Sequence, residues 1–369
     1  MSYLDKLLQG VEVEWKTLGE VAEIIRGTRV TKRDLISDGI YPVVSGGTGF
    51  MGYINQFNRE ENTITIAQYG TAGYVKWQNE KFWANDVCFC VNPNIDIVEN
   101  RYLYFYLINK QQYLYDISNR TAVPYSIERD KILKLPIPIP PLSVQKEIVC
   151  ILDKFTELTA ELTAELTAEL TARKKQYNYY REKLLSFEEG EVEWKTLGEV
   201  AEIKRGKRLV KSELEDSGNY AVFQNSMTPL GYYHQSNVQS DTTFIISAGA
   251  AGEIGYSNVD FWAADDVYYF ITPYNLKSKF LYYFLLTQQS KISGQVRRAS
   301  VPRLSKTAFE KMSIPIPPLS EQQRIVSILD KFDTLTTSIS EGLPKEIELR
   351  QKQYEYYRDL LLSFPLSEL

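Results

Sequence analysis

The chain repeats itself. VEWKTLGEVAEIIRGTRV (Val13 to Val30) returns as VEWKTLGEVAEIKRGKRL (Val192 to Leu209), and IPIPPLSVQKEIVCILDKF (Ile137 to Phe155) returns as IPIPPLSEQQRIVSILDKF (Ile314 to Phe332). RKKQYNYYREKLLSF (Arg173 to Phe187) likewise returns as RQKQYEYYRDLLLSF (Arg350 to Phe364). A duplicated sequence folds twice into one local structure, so the architecture is a tandem pair with pseudo-two-fold symmetry. Weaker echoes lie between: GTAG (Gly70 to Gly73) against GAAG (Gly249 to Gly252), FWAND (Phe82 to Asp86) against FWAAD (Phe261 to Asp265), and AVP (Ala122 to Pro124) against SVP (Ser300 to Pro302). Each half keeps its ends and varies its interior. The opening YLDKLLQGVEVEWKTL matches Tyr180 to Leu197 with two residues missing, which predicts a circular arrangement cut inside one helix, with the two chain ends close together.

Period and punctuation give each interior an α+β character. Thr63 to Gln68, Val87 to Val91, Phe244 to Ile246 and Tyr268 to Thr272 are short, β-branched or aromatic runs bounded by Gly, Asn or Pro, and read as strands. Arg101 to Leu114 and Lys279 to Ile292 read as aromatic helices. The IPIPP runs are extended by their prolines. Ser143 and Ser320 follow them as expected N-caps of long helices reaching to Phe187 and toward Phe364. In the second copy Gly342 and Pro344 should break or kink the helix. Within the first runs ELTAELTAELTAELTA (Glu157 to Ala172). Leu158, Leu162, Leu166 and Leu170 recur every four residues, so each unit adds about 40° and about 6 Å to a slowly winding stripe. Such a word is a ruler, adjustable by whole units. The expected layout is an N-terminal segment (1–19) completing the distal helical region, a variable α+β domain (20–140), a central spacer helix (141–196), a second variable domain (197–318) and a distal spacer helix (319–369), the two helices lying antiparallel.

Catalytic words are missing. There is no phosphate-loop G-x-x-x-x-G-K-[ST], no G-x-S-x-G elbow and no H-E-x-x-H. The single His234 reads as a surface-loop residue, Ser45 to Gly49 (SGGTG) as a turn, and Cys88, Cys90 and Cys150 as reduced thiols rather than a zinc site. No catalytic residue, metal or cofactor is expected. Without a signal segment or an apolar run of membrane-spanning length, a cytoplasmic location is expected by default.

The cations are more informative. The net charge is −5, yet residues 20–140 hold 13 Lys/Arg against 13 Asp/Glu and residues 197–318 hold 13 against 11, while the remainder holds 16 against 23. The acidity belongs to the helices. In each variable domain bases gather at two corresponding places: Arg26, Arg29, Lys32 and Arg33 against Lys204, Arg205, Lys207, Arg208 and Lys211, and Arg120 against Arg297, Arg298 and Arg303. With Thr28, Gln68, Tyr69, Thr121, Tyr125, Gln224, Asn225 and Ser247 beside them, these loops suit phosphate positioning together with base-edge reading.

The whole chain resembles the specificity subunits of type I restriction–modification systems. The proline-led PIPIPPLSVQKEIVCILDKF and SIPIPPLSEQQRIVSILDKF, the two VEWKTLGEV segments and a Leu-Thr-Ala-Glu tract like that of the type IC branch carry the resemblance. It implies two target-recognition domains, each reading one half of a split DNA site, and spacer helices that dock two adenine-N6 methyltransferase (modification) subunits, with restriction subunits joining through the complex. The tyrosine-rich QYNYYR and QYEYYR segments are expected to help dock those partners through Tyr177, Tyr180, Arg181, Tyr354, Tyr357 and Arg358. A structural adaptor with two protein-binding domains is the alternative. A self-contained methyltransferase is disfavoured, because no Asn/Asp-Pro-Pro-aromatic word occurs.

Overall fold

A computed structural model describes residues 3–8, 10–188, 190–338 and 340–365. They form two compact units: the chain up to Ala164 together with the stretch from Glu348 on, and Glu165–Ile347.

In the first unit, an antiparallel sheet runs in the order Ala22–Arg26, Cys88–Pro93, Thr63–Ala67, Val75–Gln78. Alternation along the strand decides its packing. Phe89 and Val91 join Ile64, Ile66 and the helix residues Tyr102, Leu103, Phe105 and Tyr106 in the main core, whereas Cys88 and Cys90 face Val44, Phe82 and Ala84 on the other side. With both faces covered, the strand reads as a continuous apolar run. A second sheet pairs Tyr41–Val44 with Phe50–Ile54 antiparallel and with Trp83–Ala84 parallel. The ends that the two halves share clasp one another: Glu14–Thr17 pairs with Pro136–Ile139, Trp15 opposite Pro138. The carbonyls of Pro138 and Pro136 accept the hydroxyls of Tyr102 (3.0 Å) and Tyr106 (3.1 Å). Leu4 and Leu8 share the core with Leu361, Leu362 and Phe364, and the Trp15 indole donates to the Pro365 carbonyl. The first and last described segments therefore meet, as the displaced repeat implies.

The second unit follows the same plan. Its sheet runs Glu202–Arg205, Val267–Ile271, Thr242–Ile246, Ile254–Ser257, its smaller sheet Gly231–Tyr233, Tyr220–Phe223, Trp262–Ala263, and its clasp joins Glu193–Thr196 to Ser313–Ile316. In both, one aspartate of the LDKF word ties the spacer helix to the domain: Asp153 binds Arg101 (2.8 Å), and Asp330 binds Lys279 (2.9 Å) and the Tyr283 hydroxyl (2.5 Å).

The helix Leu142–Leu184 is continuous through the repeat tract, while its counterpart is split into Leu319–Thr337 and Gly342–Leu361 as the Gly-Leu-Pro signal predicts. Gly342 has φ +82° and lies against the carbonyls of Thr334 and Leu335, a place without room for a Cβ. Ser143 and Ser320 are not N-caps. Each helix starts one residue earlier, and the carbonyls of Pro141 and Pro318 accept its first amide bonds. The polar work falls to a glutamine. The Gln145 side chain, fully buried, accepts from the Glu99 amide and donates to the Ile97 and Pro140 carbonyls, and Gln322 does the same with Lys277, Asn275 and Pro317. Each aromatic helix is also two: Asn100–Asn109 then Gln111–Asp116, and Ser278–Thr287 then Gln289–Gly294. At the break, Gln111 donates to the Gly73 carbonyl and Gln289 to that of Gly252, drawing the second segment onto the GTAG or GAAG turn. Among the described residues no helix is long and apolar enough to cross a membrane.

Candidate nucleic-acid interface

The first basic loop leaves the sheet at Arg26 and is seated by a glycine. A Cβ on Gly27 would lie 2.2 Å from the Asn85 carbonyl oxygen and 2.4 Å from that of Ala84; on Gly206 it would lie 2.1 Å and 2.3 Å from those of Ala264 and Ala263. That close approach lets Gly27 N–H reach the Cys88 carbonyl (3.0 Å) and Thr28 N–H the Ala84 carbonyl (2.8 Å), with equivalent bonds from Gly206 and Lys207. The tryptophan of the FWA word closes the clamp, Trp83 donating to the Thr28 carbonyl (2.8 Å) and Trp262 to that of Lys207 (3.0 Å). Arg26 and Arg205 donate through Nε to the Asp86 and Asp265 carbonyls, so these two serve first as struts. Beyond the clamp Thr28, Arg29, Lys32, Arg33, Lys207, Arg208 and Lys211 are exposed. Asp34 forms no ion pair with them among the described residues: its carboxylate accepts the Thr31 amide and hydroxyl (both 2.7 Å), which holds it below the usual carboxylate range.

The second basic loop is a small ladder. Asn119 pairs with Ser126, and Ser126's neighbour Tyr125 accepts from the Gly70 amide, placing the loop beside Gln68 and Tyr69. The Arg120 guanidinium is held between the rings of Tyr115 (4.9 Å) and Tyr125 (5.0 Å), and the Asn119 side chain accepts from Thr121 and Ala122. In the second unit Arg297 pairs with Arg303, Arg303 with Ala248, and the Pro302 carbonyl with the Gly249 amide; Asn225 accepts from Ala250. Ser247 departs from expectation. It is only 6% exposed, locked as a ladder residue by its amide to Asp266 and its carbonyl to Leu304, so its hydroxyl is withdrawn from the surface. Gln68 is half-buried, and its Oε1 is buried with no partner among the described residues.

Strand register brings the two loops together. Arg26 stands opposite Phe89 and Ala67 opposite Cys88, so the chain leaves toward both loops from one end of the sheet, while Ala22 opposite Pro93 marks the other end, beside the clasp. Arg205 opposite Tyr268 and Ile246 opposite Val267 repeat this in the second unit. Among the described residues Arg29, Lys32, Arg33, Arg120, Lys207, Arg208, Lys211, Arg297, Arg298 and Arg303 form no ion pair, whereas Lys204 binds Glu202 (3.3 Å) and Arg205 lies 4.0 Å from Asp266. Each unit thus presents, at one sheet end, two hydrogen-bonded loops whose exposed cations form no ion pair among the described residues. Sequence reading missed Asn58 and Asn85, whose amides lash the FWAND strand to neighbouring loops, and Tyr115, which carries Arg120.

The tyrosine-rich segments divide between helix packing and exposure. Tyr177 is 7% exposed, packed 6.3 Å from Phe332 with Arg181 over its ring, and Tyr180 stacks on Phe332 at 5.6 Å. In the first unit Tyr357 stacks on Phe155 (5.5 Å), the Tyr354 hydroxyl accepts from Thr156, and Arg358 lies over Tyr354 and binds Asp359. These side chains hold helix to helix within a unit, because residues three apart share the inner face. Tyr179 (58%) and Tyr356 (64%) are the most exposed, and Tyr180 (36%) and Tyr357 (39%) also keep part of each ring at the surface.

Comparison with known proteins places this geometry in a family. Residues 10–172 and 189–349 each match the type I restriction modification DNA specificity domain, and the chain belongs to that family, carrying its domain twice. It is similar to the specificity subunit of the Escherichia coli type I restriction enzyme EcoR124I/EcoR124II, with 37% identity across 100% of this chain and 98% of that one. In fold it is similar to the S subunit of the type I restriction–modification system of M. genitalium (TM-score 0.59, 22% identity, 99% and 100% of the two chains). A chain from a structure addressing complex assembly and conformational transition of the type I R-M system also shares the fold (TM-score 0.69, 16% identity, 96% and 99% of the two chains).

Proposed function

We propose that this specificity subunit reads a split DNA site, one half through each unit, and holds two modification subunits on its helices. The single observation that carries the reading is the repeated pair of basic loops at one sheet end, with cations that the protein leaves unpaired. Residues 20–140 and 197–318 are then the target-recognition domains; 141–196 and 319–369, completed by 1–19, are the spacers. Arg29, Lys32, Arg33, Arg120, Lys207, Arg208, Lys211, Arg297, Arg298 and Arg303 meet phosphates, with Thr28, Gln68, Tyr69, Thr121, Tyr125, Gln224 and Asn225 toward the bases. Arg26 and Arg205 brace the loops, while Lys204 pairs with Glu202 on the strand. One small domain gains about 1–3 kcal/mol of discrimination per good base contact, so joining two on a stiff spacer multiplies specificity. Tyr180 and Tyr357, together with the more exposed Tyr179 and Tyr356, belong to equivalent docking positions for two copies of one modification subunit, beside Tyr177, Arg181, Tyr354 and Arg358.

Mapping N6-methyladenine in a host that expresses this chain with its modification subunit tests the reading. A split motif with a fixed gap that vanishes without this chain is the expected result. Its absence despite an active partner transfers weight to the adaptor alternative, for which salt provides the second check: binding through several cations weakens steeply as salt rises, whereas an apolar protein contact barely responds.

A further inference from the structure

Val123 is 96% exposed and forms the tip of a loop that is otherwise tied down. The Asn119–Ser126 pairing closes its base, Asn119 Oδ1 accepts from the Thr121 amide and hydroxyl and from the Ala122 amide, and Arg120 is clamped between two tyrosines. A single exposed valine is unremarkable on a protein surface. A braced loop that holds one out beside uncompensated arginines is a different matter, since bracing removes the freedom by which the side chain could fold back. The second unit carries a related tip on a shorter loop: Val301 is 47% exposed within the Arg297–Arg303 ladder, followed by the half-buried Pro302, whose carbonyl accepts from the Gly249 amide as that of Tyr125 does from Gly70 in the first unit. Both tips sit in the loops that leave the sheet end assigned above to DNA.

Resting on that DNA-reading assignment, we propose that Val123–Pro124 and Val301–Pro302 are apolar wedges that enter the minor groove and hold open one base step in each half-site. Minor-groove proteins insert apolar wedges, proline among them, between base steps and set Arg or Lys in the same groove, the part that Arg120 and Arg298 fit. The wedge makes one step per half-site discriminating by deformability, without a hydrogen bond to any base.

The test uses the complex of this chain with its modification subunit and duplexes carrying the mapped site, with 2-aminopurine walked through each half-site outside the methylated adenine. The expected result is one step per half-site whose emission rises on binding. Val123→Ser should abolish the rise in one half-site and Val301→Ser in the other, each weakening binding about tenfold, the worth of burying one valine side chain. The salt slope should stay at the wild-type value, whereas Arg120→Gln lowers it by about one. Both valines are exposed, so neither serine variant threatens the fold. A rise that persists in the serine variants overturns the wedge, and so does tight, salt-dependent binding by the wild type with no step brightening. Loss of modification-subunit association in Val123→Ser with DNA affinity unchanged would make the tip a protein contact. If the wild-type complex shows no salt-dependent binding to the duplex, the DNA reading itself falls, and the wedge with it.

Discussion

Gly27→Ala adds one carbon atom and should disable one half of the recognition surface. The new Cβ would lie 2.2 Å from the Asn85 carbonyl oxygen and 2.4 Å from that of Ala84. Both oxygens are backbone, so no side chain can swing away; relief to ordinary contact requires the loop or the FWAND strand to shift by roughly 1 Å. A shift of that size lengthens the Gly27–Cys88 (3.0 Å), Thr28–Ala84 (2.8 Å) and Trp83–Thr28 (2.8 Å) hydrogen bonds out of range. At about 1 kcal/mol net for each bond, the loss is about 3 kcal/mol. A domain of this size should then melt roughly 6–12 °C lower. Arg29, Lys32 and Arg33 would lose their fixed register, so reading of one half-site should fail while the other half is still recognised. Thermal melting followed by methylation mapping gives both readouts, with Gly206→Ala as the mirror experiment on the other half-site. A Gly27→Ala protein with wild-type melting and an intact split motif would refute the idea that glycine seats this loop.

Four further outcomes follow from the same geometry. Gln145→Leu strands the Glu99 amide and the Ile97 and Pro140 carbonyls in a buried site, and chemical denaturation should register a loss of about 3–5 kcal/mol. Deleting Leu162 to Glu165 removes about 6 Å and about 40° of helix, against roughly 3.4 Å and 35° for one base pair; methylation mapping should show the gap shortened by one pair with both half-sequences unchanged, and changed half-sequences would end the ruler argument. Asp333 occupies the position that Thr156 holds in the first unit, and burial raises its carboxyl above the usual range, against the Thr337 hydrogen bond and Lys279, which lower it. A raised carboxyl favours the folded state while protonated and loses that advantage as pH rises through its folded value, so Asp333→Asn should stabilise the protein at neutral pH, with the gain fading in melts taken below the unfolded aspartate value of about 3.9. Finally, the double variant Tyr179→Ala, Tyr356→Ala should reduce the number of modification subunits bound in native mass measurements without changing the melting temperature, since both rings are exposed.

By itself the sequence determined the plan of the molecule. Repetition is independent of context, so the matched ends revealed two domains, and four-residue spacing revealed a helix with a regular stripe. The strands Thr63–Ala67 and Cys88–Pro93 were legible because alternation and bounding residues are local properties. Two matched clusters of Arg and Lys could be found because charge can be counted without coordinates.

Tertiary structure decided which way side chains turn and what spends their hydrogen bonds. Helical spacing puts Tyr177 and Tyr180 on one face and Tyr179 on another, but only the packing of Phe332 against the first pair decides which face turns inward. Ser143 has the composition of a cap, yet Pro141 already supplies the carbonyl from which the helix starts, and the buried amide of Gln145 takes over the polar contacts across 46 and 48 residues of chain. Ser247 looked like a surface hydroxyl until strand register buried it. That Arg26 serves as a strut while Arg29 stays free depends on a carbonyl 60 residues away. Long-range register creates such partners, and no window of sequence contains both members of the pair.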